Sequence, residues 1–249
     1  MPRDGRAEKR GFLARATFAG KRKAKVEPKG HPDLPKVFCI GFHKTGTTSL
    51  KMALKLLGYR VTGPSGQRDK DIAQNVEALA RRVVPKFDAF QDNPWPIIYR
   101  FLDKEFPGSK FILTIRPTDK WIESVTGHFT QGRPPMREWI YGPGRGNPIG
   151  NEAVYVERYE RHNREVQEYF AGRPDDFIIF DLAAGDDWPK LCAFLGHPVP
   201  ADTPFPWRNS KEKREKRVAR HGGRTEMRKA RRAEKRAAKA DAGSAKLRA

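Results

Sequence analysis

Apolar residues along this chain fall into two alternating patterns: short runs closed by turn residues, and longer stretches in which apolar positions recur every three or four residues. The runs at 37–40, 87–90, 110–115 and 177–180, with a shorter one at 59–61, predict strands. The run Val37, Phe38, Cys39, Ile40 has no polar alternation, as expected of a parallel strand covered on both faces. Helices are predicted after Gly46 as far as Gly58, over 69–84, from Pro94 to Phe106, from Pro117 through Val125, over 152–170 and over 188–195. Residues 126–150 are rich in Gly, Pro, Arg and aromatics with little periodicity, which reads as a long loop, either a substrate-side lid or a disordered segment. Strands alternating with helices predict an α/β fold with a doubly wound, mainly parallel sheet flanked by helices.

The first strand leads into G-F-H-K-T-G-T-T-S-L, from Gly41 to Leu50. A strand, a glycine-bearing loop and a helix start place free backbone N–H groups and the positive end of a helix dipole together, a combination that suits phosphate. The ATPase and kinase form of such a loop has lysine directly after its second glycine. Here that position is Thr47, and the lysine is Lys44, two residues before Gly46. A bare βα turn without a ligand is the plain alternative. Further along, the strand at 110–115 delivers Arg116, and Ser124 lies eight residues later on the next helix. A forked guanidinium and a hydroxyl so placed suit a terminal phosphate over the sheet edge. Asp92, after the 87–90 strand, stands where ligand sites of open α/β sheets collect, although it also suits a helix cap before Asn93 and Pro94.

The K-T-G-T-T order at Lys44–Thr48 resembles the 5′-phosphosulfate loop of sulfotransferases that use 3′-phosphoadenosine 5′-phosphosulfate (PAPS). The Arg116/Ser124 pair resembles that family's 3′-phosphate signature. Strand, L-x-x-F-L-G helix and P-x-P exit extend the likeness from about Lys36 to Ser210. The resemblance implies sulfuryl transfer from PAPS to a hydroxyl or amine, without a metal. Backbone groups from Thr45 to Thr48, including Gly46, would hold the 5′-phosphate with the Thr47 and Thr48 hydroxyls. Lys44 would neutralise the leaving phosphate, and Arg116 and Ser124 would bind the 3′-phosphate. The histidine or glutamate that family members use as base has no counterpart at the strand end, so Asp92 is the candidate, with His43 and His128 behind it. Trp95, Trp139 and Tyr141 would suit either a sugar or an apolar small-molecule acceptor. Trp207, Arg208 and Asn209 could close over the nucleotide, although nothing in their spacing requires it. A P-loop kinase or NTPase is the alternative enzyme, and a non-catalytic P-loop domain carrying a basic nucleic-acid-binding tail is the alternative outside catalysis.

Charge divides the chain. With 37% apolar residues, the 249-residue chain can bury one α/β core. Its net charge of +20 is concentrated at the ends: residues 1–30 hold ten Lys/Arg against three Asp/Glu, and 208–249 hold seventeen against five. The expected organisation is a basic arm over 1–30, the α/β domain over 31–210 and a basic Ala/Arg/Lys-rich tail over 211–249. An anionic partner, nucleic acid or acidic lipid, is an expectation for these ends alone. Two cysteines, Cys39 and Cys192, exclude a disulfide framework and read as small core residues. No run approaches the roughly 18 apolar residues of a spanning helix, so a cytoplasmic protein is expected.

Overall fold

The computed structural model describes residues 34–129 and 132–207. The arm at 1–30 and the tail at 211–249, with the calls made for them, lie outside the described residues.

Five strands form one sheet in the order β2-β3-β1-β4-β5, and every pairing is parallel. They are β1 (Val37–Cys39), β2 (Val61–Thr62), β3 (Ala89–Gln91), β4 (Lys110–Thr114) and β5 (Phe177–Phe180). The helices are α1 (Thr47–Leu56), α2 (Ile72–Val83), α3 (Tyr99–Glu105), α4 (Thr118–Thr126), α5 (Pro135–Tyr141), α6 (Glu152–Tyr169) and α7 (Trp188–Leu195). Chain order reverses beside β1, so the crevice at the C-terminal ends of β3, β1 and β4 is the expected ligand position of a doubly wound sheet.

The strands are apolar on both faces because both faces are covered. Val37 and Cys39 point into a cluster with Leu50, Ala53 and Leu54 of α1 and Leu191 and Cys192 of α7. Phe38 and Ile40 point the other way, into a larger cluster built by α2 to α6. Period two within a run of four apolar residues thus splits one sequence between two cores. Both cysteines are buried and free. At the β2–β3 edge, fully buried Asp88 accepts from Arg60 N (2.9 Å), Nε (2.9 Å) and Nη2 (3.0 Å), so its charge is matched.

Two expected elements differ. The helix from Pro94 forms only over Tyr99–Glu105, and the stretch before it is a series of turns after a cis Asn93–Pro94 peptide. Pro94 and Pro96 have no N–H to donate and bias the residues before them away from helix. The segment at 126–150, read as an irregular loop, contains α5, whose Met136, Ile140 and Tyr141 are buried in the larger cluster. Pro135 opens this helix, where a missing N–H costs nothing, and the apolar i, i+4 pair Met136/Ile140 gives it a buried face. Seven residues between Gly/Pro-rich flanks are too short for periodicity to stand out.

Candidate active site

The phosphate-type loop is fixed by three distant parts of the chain. Gly41 passes so close to β4 that an added Cβ would lie 2.0 Å from Thr114 Oγ1 and 2.3 Å from Thr114 O. The Thr45 hydroxyl turns inward, 2.6 Å from Phe42 O and 2.6 Å from Thr114 Oγ1, so the Thr45 side chain is spent on the loop's own packing. Trp121 of α4 donates Nε1–H to His43 O (2.8 Å), and Arg116 reaches Lys44 O at 3.4 Å. Lys44 itself has φ 70°, a left-handed conformation that a non-glycine residue holds only where its surroundings impose it. Gly46 follows at φ 103°, and a Cβ there would lie 2.1 Å from Leu182 Cδ1. The first intrahelical acceptor of α1 is Gly46 O, which takes Ser49 N (2.9 Å) and Leu50 N (3.2 Å). The N–H groups ahead of Ser49 therefore belong to the open first turn, with no acidic side chain in that turn.

Arg116 is set by its main chain. Tyr159 of α6 accepts from Arg116 N (2.9 Å) and donates to Arg116 O (2.8 Å), while its ring stacks on Trp121 at 4.2 Å between centroids and 9° between planes. One tyrosine and one tryptophan thus tie the β4–α4 corner to the loop.

A cavity of about 430 Å³ opens above these strand ends. Lys44, Gly46, Thr47, Thr48, Asp92, Arg116 and Ser124 all line it, residues that come from four separate stretches of sequence. Of the residues named from sequence, Thr45 is absent from the wall for the reason given above. Asp92 stands directly after β3 at φ 69°, and its Oδ1 accepts from Asn93 N at 2.8 Å. It caps no helix, since α3 starts only at Tyr99 and has no side-chain cap. Burial raises the Asp92 pKa above the usual carboxylate value, against the opposing influences of the Asn93 N–H and the Lys44 and Lys51 charges.

His43 is buried and lines the cavity rather than pointing away. Burial first, then the positive charges of Arg137, Lys44 and His128, push its pKa down to about 3, so the ring is neutral at physiological pH. Tyr141 Oη is 3.1 Å from its Nε2, and Asn93 Nδ2 lies 3.5 Å from its Nδ1. His128 is exposed on the cavity rim, beside Phe129.

The aromatics singled out from sequence have other duties. Trp95 is fully buried against Phe90, Tyr141 stacks on Tyr155 at 3.5 Å, and Trp139 borders a separate shallow groove on the other side of α5. Trp207 packs near Phe205 and is absent from the cavity wall; Arg208 and Asn209 lie outside the described residues. Asp181, the other strand-end carboxylate, caps the short 3-10 turn after β5 by accepting from Ala183 N (2.9 Å) and Ala184 N (3.3 Å). Sequence reading missed Asn93 and Arg137. Arg137, 6% exposed, reaches the wall from α5, with Nη2 donating to Gly132 O (2.8 Å) and its guanidinium 4.6 Å from the Phe129 ring centre. Its only local signal was an arginine among the apolar positions of a short helix.

A family model described as a sulfotransferase domain matches residues 36–214. The chain belongs to the sulfotransferase family. No curated protein matches it. As a sulfotransferase it is a transferase enzyme, and the match begins one residue before β1 and takes in every element of the fold. Among the described residues no helix is long and apolar enough to cross a membrane, and no group of three or more His, Cys, Asp or Glu is arranged to hold a metal ion.

Proposed function

We propose that this sulfotransferase uses PAPS as donor and transfers the sulfuryl group to a hydroxyl or amine of a small-molecule or carbohydrate acceptor. The observation that carries the proposal is the shared cavity. Lys44, Thr47 and Thr48 approach it from the loop and first turn of α1, and Arg116 and Ser124 approach from the β4–α4 corner. Two separate anion-holding groups suit a nucleotide with phosphates at both its 5′ and 3′ positions. The residues fit such a ligand: the helix start is open, Gly41 and Gly46 keep the loop thin where a side chain would collide, and cations stand on both sides.

When bound, PAPS supplies a sulfuryl group activated as a mixed phosphosulfate anhydride. The Thr45–Thr48 backbone N–H groups and the Thr47 and Thr48 hydroxyls hold the 5′-phosphate. Arg116 and Ser124 hold the 3′-phosphate and so discriminate against ATP. Asp92 takes the acceptor's proton as the acceptor atom bonds to sulfur, and its raised pKa makes it a stronger base than an exposed aspartate. Lys44 meets the electron pair left on the bridging oxygen as the old S–O bond breaks, stabilising charge where it develops. The proton thus ends on Asp92 and the charge on the departing 3′,5′-bisphosphate, PAP.

The test is label transfer from radiolabelled PAPS to a panel of phenols, alcohols, sugars and amines. Transfer that falls with Lys44→Ala and with Asp92→Asn is the expected result. Label transfer from γ-labelled ATP and none from PAPS would overturn the proposal.

A further inference from the structure

We infer that Arg137 makes the acceptor side of the cavity selective for an anion: the acceptor carries an oxyanion group, a carboxylate, sulfate or phosphate, besides the hydroxyl or amine that is sulfated. This rests on the sulfotransferase reading of the cavity and deepens it.

Arg137 is a buried residue of α5 that lines the cavity. Its guanidinium is located from two sides. Nη2 donates to Gly132 O (2.8 Å), and the group lies 4.6 Å from the centre of the Phe129 ring. Phe129 in turn meets the His43 ring edge-on at 5.0 Å, and His43 Nδ1 is 3.5 Å from Asn93 Nδ2, next to Asp92 in the chain. Arg137 therefore belongs to the wall that carries Asp92. Arg116, by contrast, reaches Lys44 O and stands with the phosphate-type loop. The charge of Arg137 acts along its own wall: after burial it is the largest influence holding the His43 pKa down, ahead of Lys44, the residue that follows His43 directly.

Asp92 is the only carboxylate among the described residues of the cavity wall, which also bears Lys44, Arg116 and Arg137. In the proposed function Lys44 and Arg116 meet the phosphates of the donor, and Asp92 meets the proton that leaves the acceptor. The field of Arg137 falls where the rest of the acceptor lies. A charge in a largely water-excluded wall acts through a lower effective dielectric than one in open solvent, so it attracts an anion more strongly. Guanidinium stays charged throughout the physiological range, and its planar fork matches the oxygens of a carboxylate, sulfate or phosphate. A neutral acceptor gains nothing from it.

The test is calorimetric binding to the PAP complex of phenols paired by charge and shape. The planar pairs are 3- and 4-hydroxybenzoate against the matching hydroxybenzamides. The tetrahedral pair is 4-hydroxybenzenesulfonate against 4-hydroxybenzenesulfonamide, so the two arms separate a carboxylate from a sulfate- or phosphate-like group. In at least one pair the anion should bind at least about tenfold more tightly than its neutral partner. Arg137→Gln should erase that preference without changing the affinity of the neutral partner, and should weaken PAP binding less than Arg116→Ala does. Equal affinities within every pair, binding of no probe, or a preference that survives Arg137→Gln would overturn the inference. A loss of PAP affinity as large as that of Arg116→Ala would also overturn it, by assigning Arg137 to the donor. Arg137→Met, whose unbranched apolar side chain suits the Phe129 face, repeats the test should Arg137→Gln not fold. PAP binding without an anion preference defeats the inference alone, whereas failure to bind PAP defeats the reading on which it rests.

Discussion

The two sides of the cavity are built by opposite means. On the side proposed for the donor, distant side chains hold the carbonyls of the loop from Gly41 to Thr48: Trp121 at His43 O and Arg116 at Lys44 O. On the acceptor side, Asp92, Asn93, Phe129 and Arg137 present side chains from β3's end, the segment after α4 and α5. Phe129 packs edge-on against the His43 ring and carries the Arg137 guanidinium over its face, Arg137 also donates to Gly132 O, and Asp92 accepts from Asn93 N. A phosphate needs the same N–H cradle whatever molecule carries it, and a loop held at its carbonyls suits that need. A wall of side chains can change without disturbing the loop.

The sharpest way to break this division is Lys44→Ala. Loss of charge stabilisation at the leaving oxygen should lower single-turnover transfer by roughly two to three orders of magnitude, with little change in melting temperature. Next comes Gly46→Ala, which puts a Cβ 2.1 Å from Leu182 Cδ1 at a φ of 103°. A loss of about 1–3 kcal/mol of stability, measured by urea unfolding, and weaker PAP binding should appear together.

A matched pair then separates the sides. Trp121→Phe removes the donor to His43 O, and Tyr141→Phe removes the hydroxyl at His43 Nε2. Each costs on the order of 1 kcal/mol in lost hydrogen bonding, with a further packing loss at Trp121. PAP titration should register Trp121→Phe alone; acceptor KM should register Tyr141→Phe. Equal effects of both on PAP binding would erase the distinction.

The smallest predicted effect is on pH. If Asp92 takes the acceptor's proton as proposed, it does so as a carboxylate, and because burial raises its pKa the acid limb of the rate profile should lie above the usual carboxylate range and vanish in Asp92→Asn. The same raised pKa means that the folded state binds this proton more tightly than the unfolded chain. Asp92's contribution to stability is therefore full below its unfolded pKa and lost as pH rises through the folded one. Asp92→Asn should then melt slightly higher than the wild type at pH 7, and equal melting temperatures would show that burial is not what raises the pKa.

The same division explains what the sequence made legible. Donor-side function is local: Lys44 to Thr48 is contiguous, and Arg116 and Ser124 sit at a fixed spacing across one strand-to-helix turn. The parallel strands were legible because two-sided burial leaves unbroken apolar runs. Acceptor-side function is not local. Asn93 and Arg137 are 44 positions apart in the chain and share one cavity only because α5 packs its Met136 and Ile140 into the core. Trp95 and Tyr141 carried the aromatic signal of a binding wall, yet both are core residues. Composition does not separate an aromatic that packs from one that binds; only the fold does.

The most direct test of the central claim is calorimetric titration of the protein with PAP, set beside magnesium-ATP, in the wild type and in Arg116→Ala. The account predicts metal-independent PAP binding that is at least about tenfold weaker in Arg116→Ala, with magnesium-ATP bound more weakly than PAP. Preference for magnesium-ATP, or PAP affinity indifferent to Arg116, would contradict it.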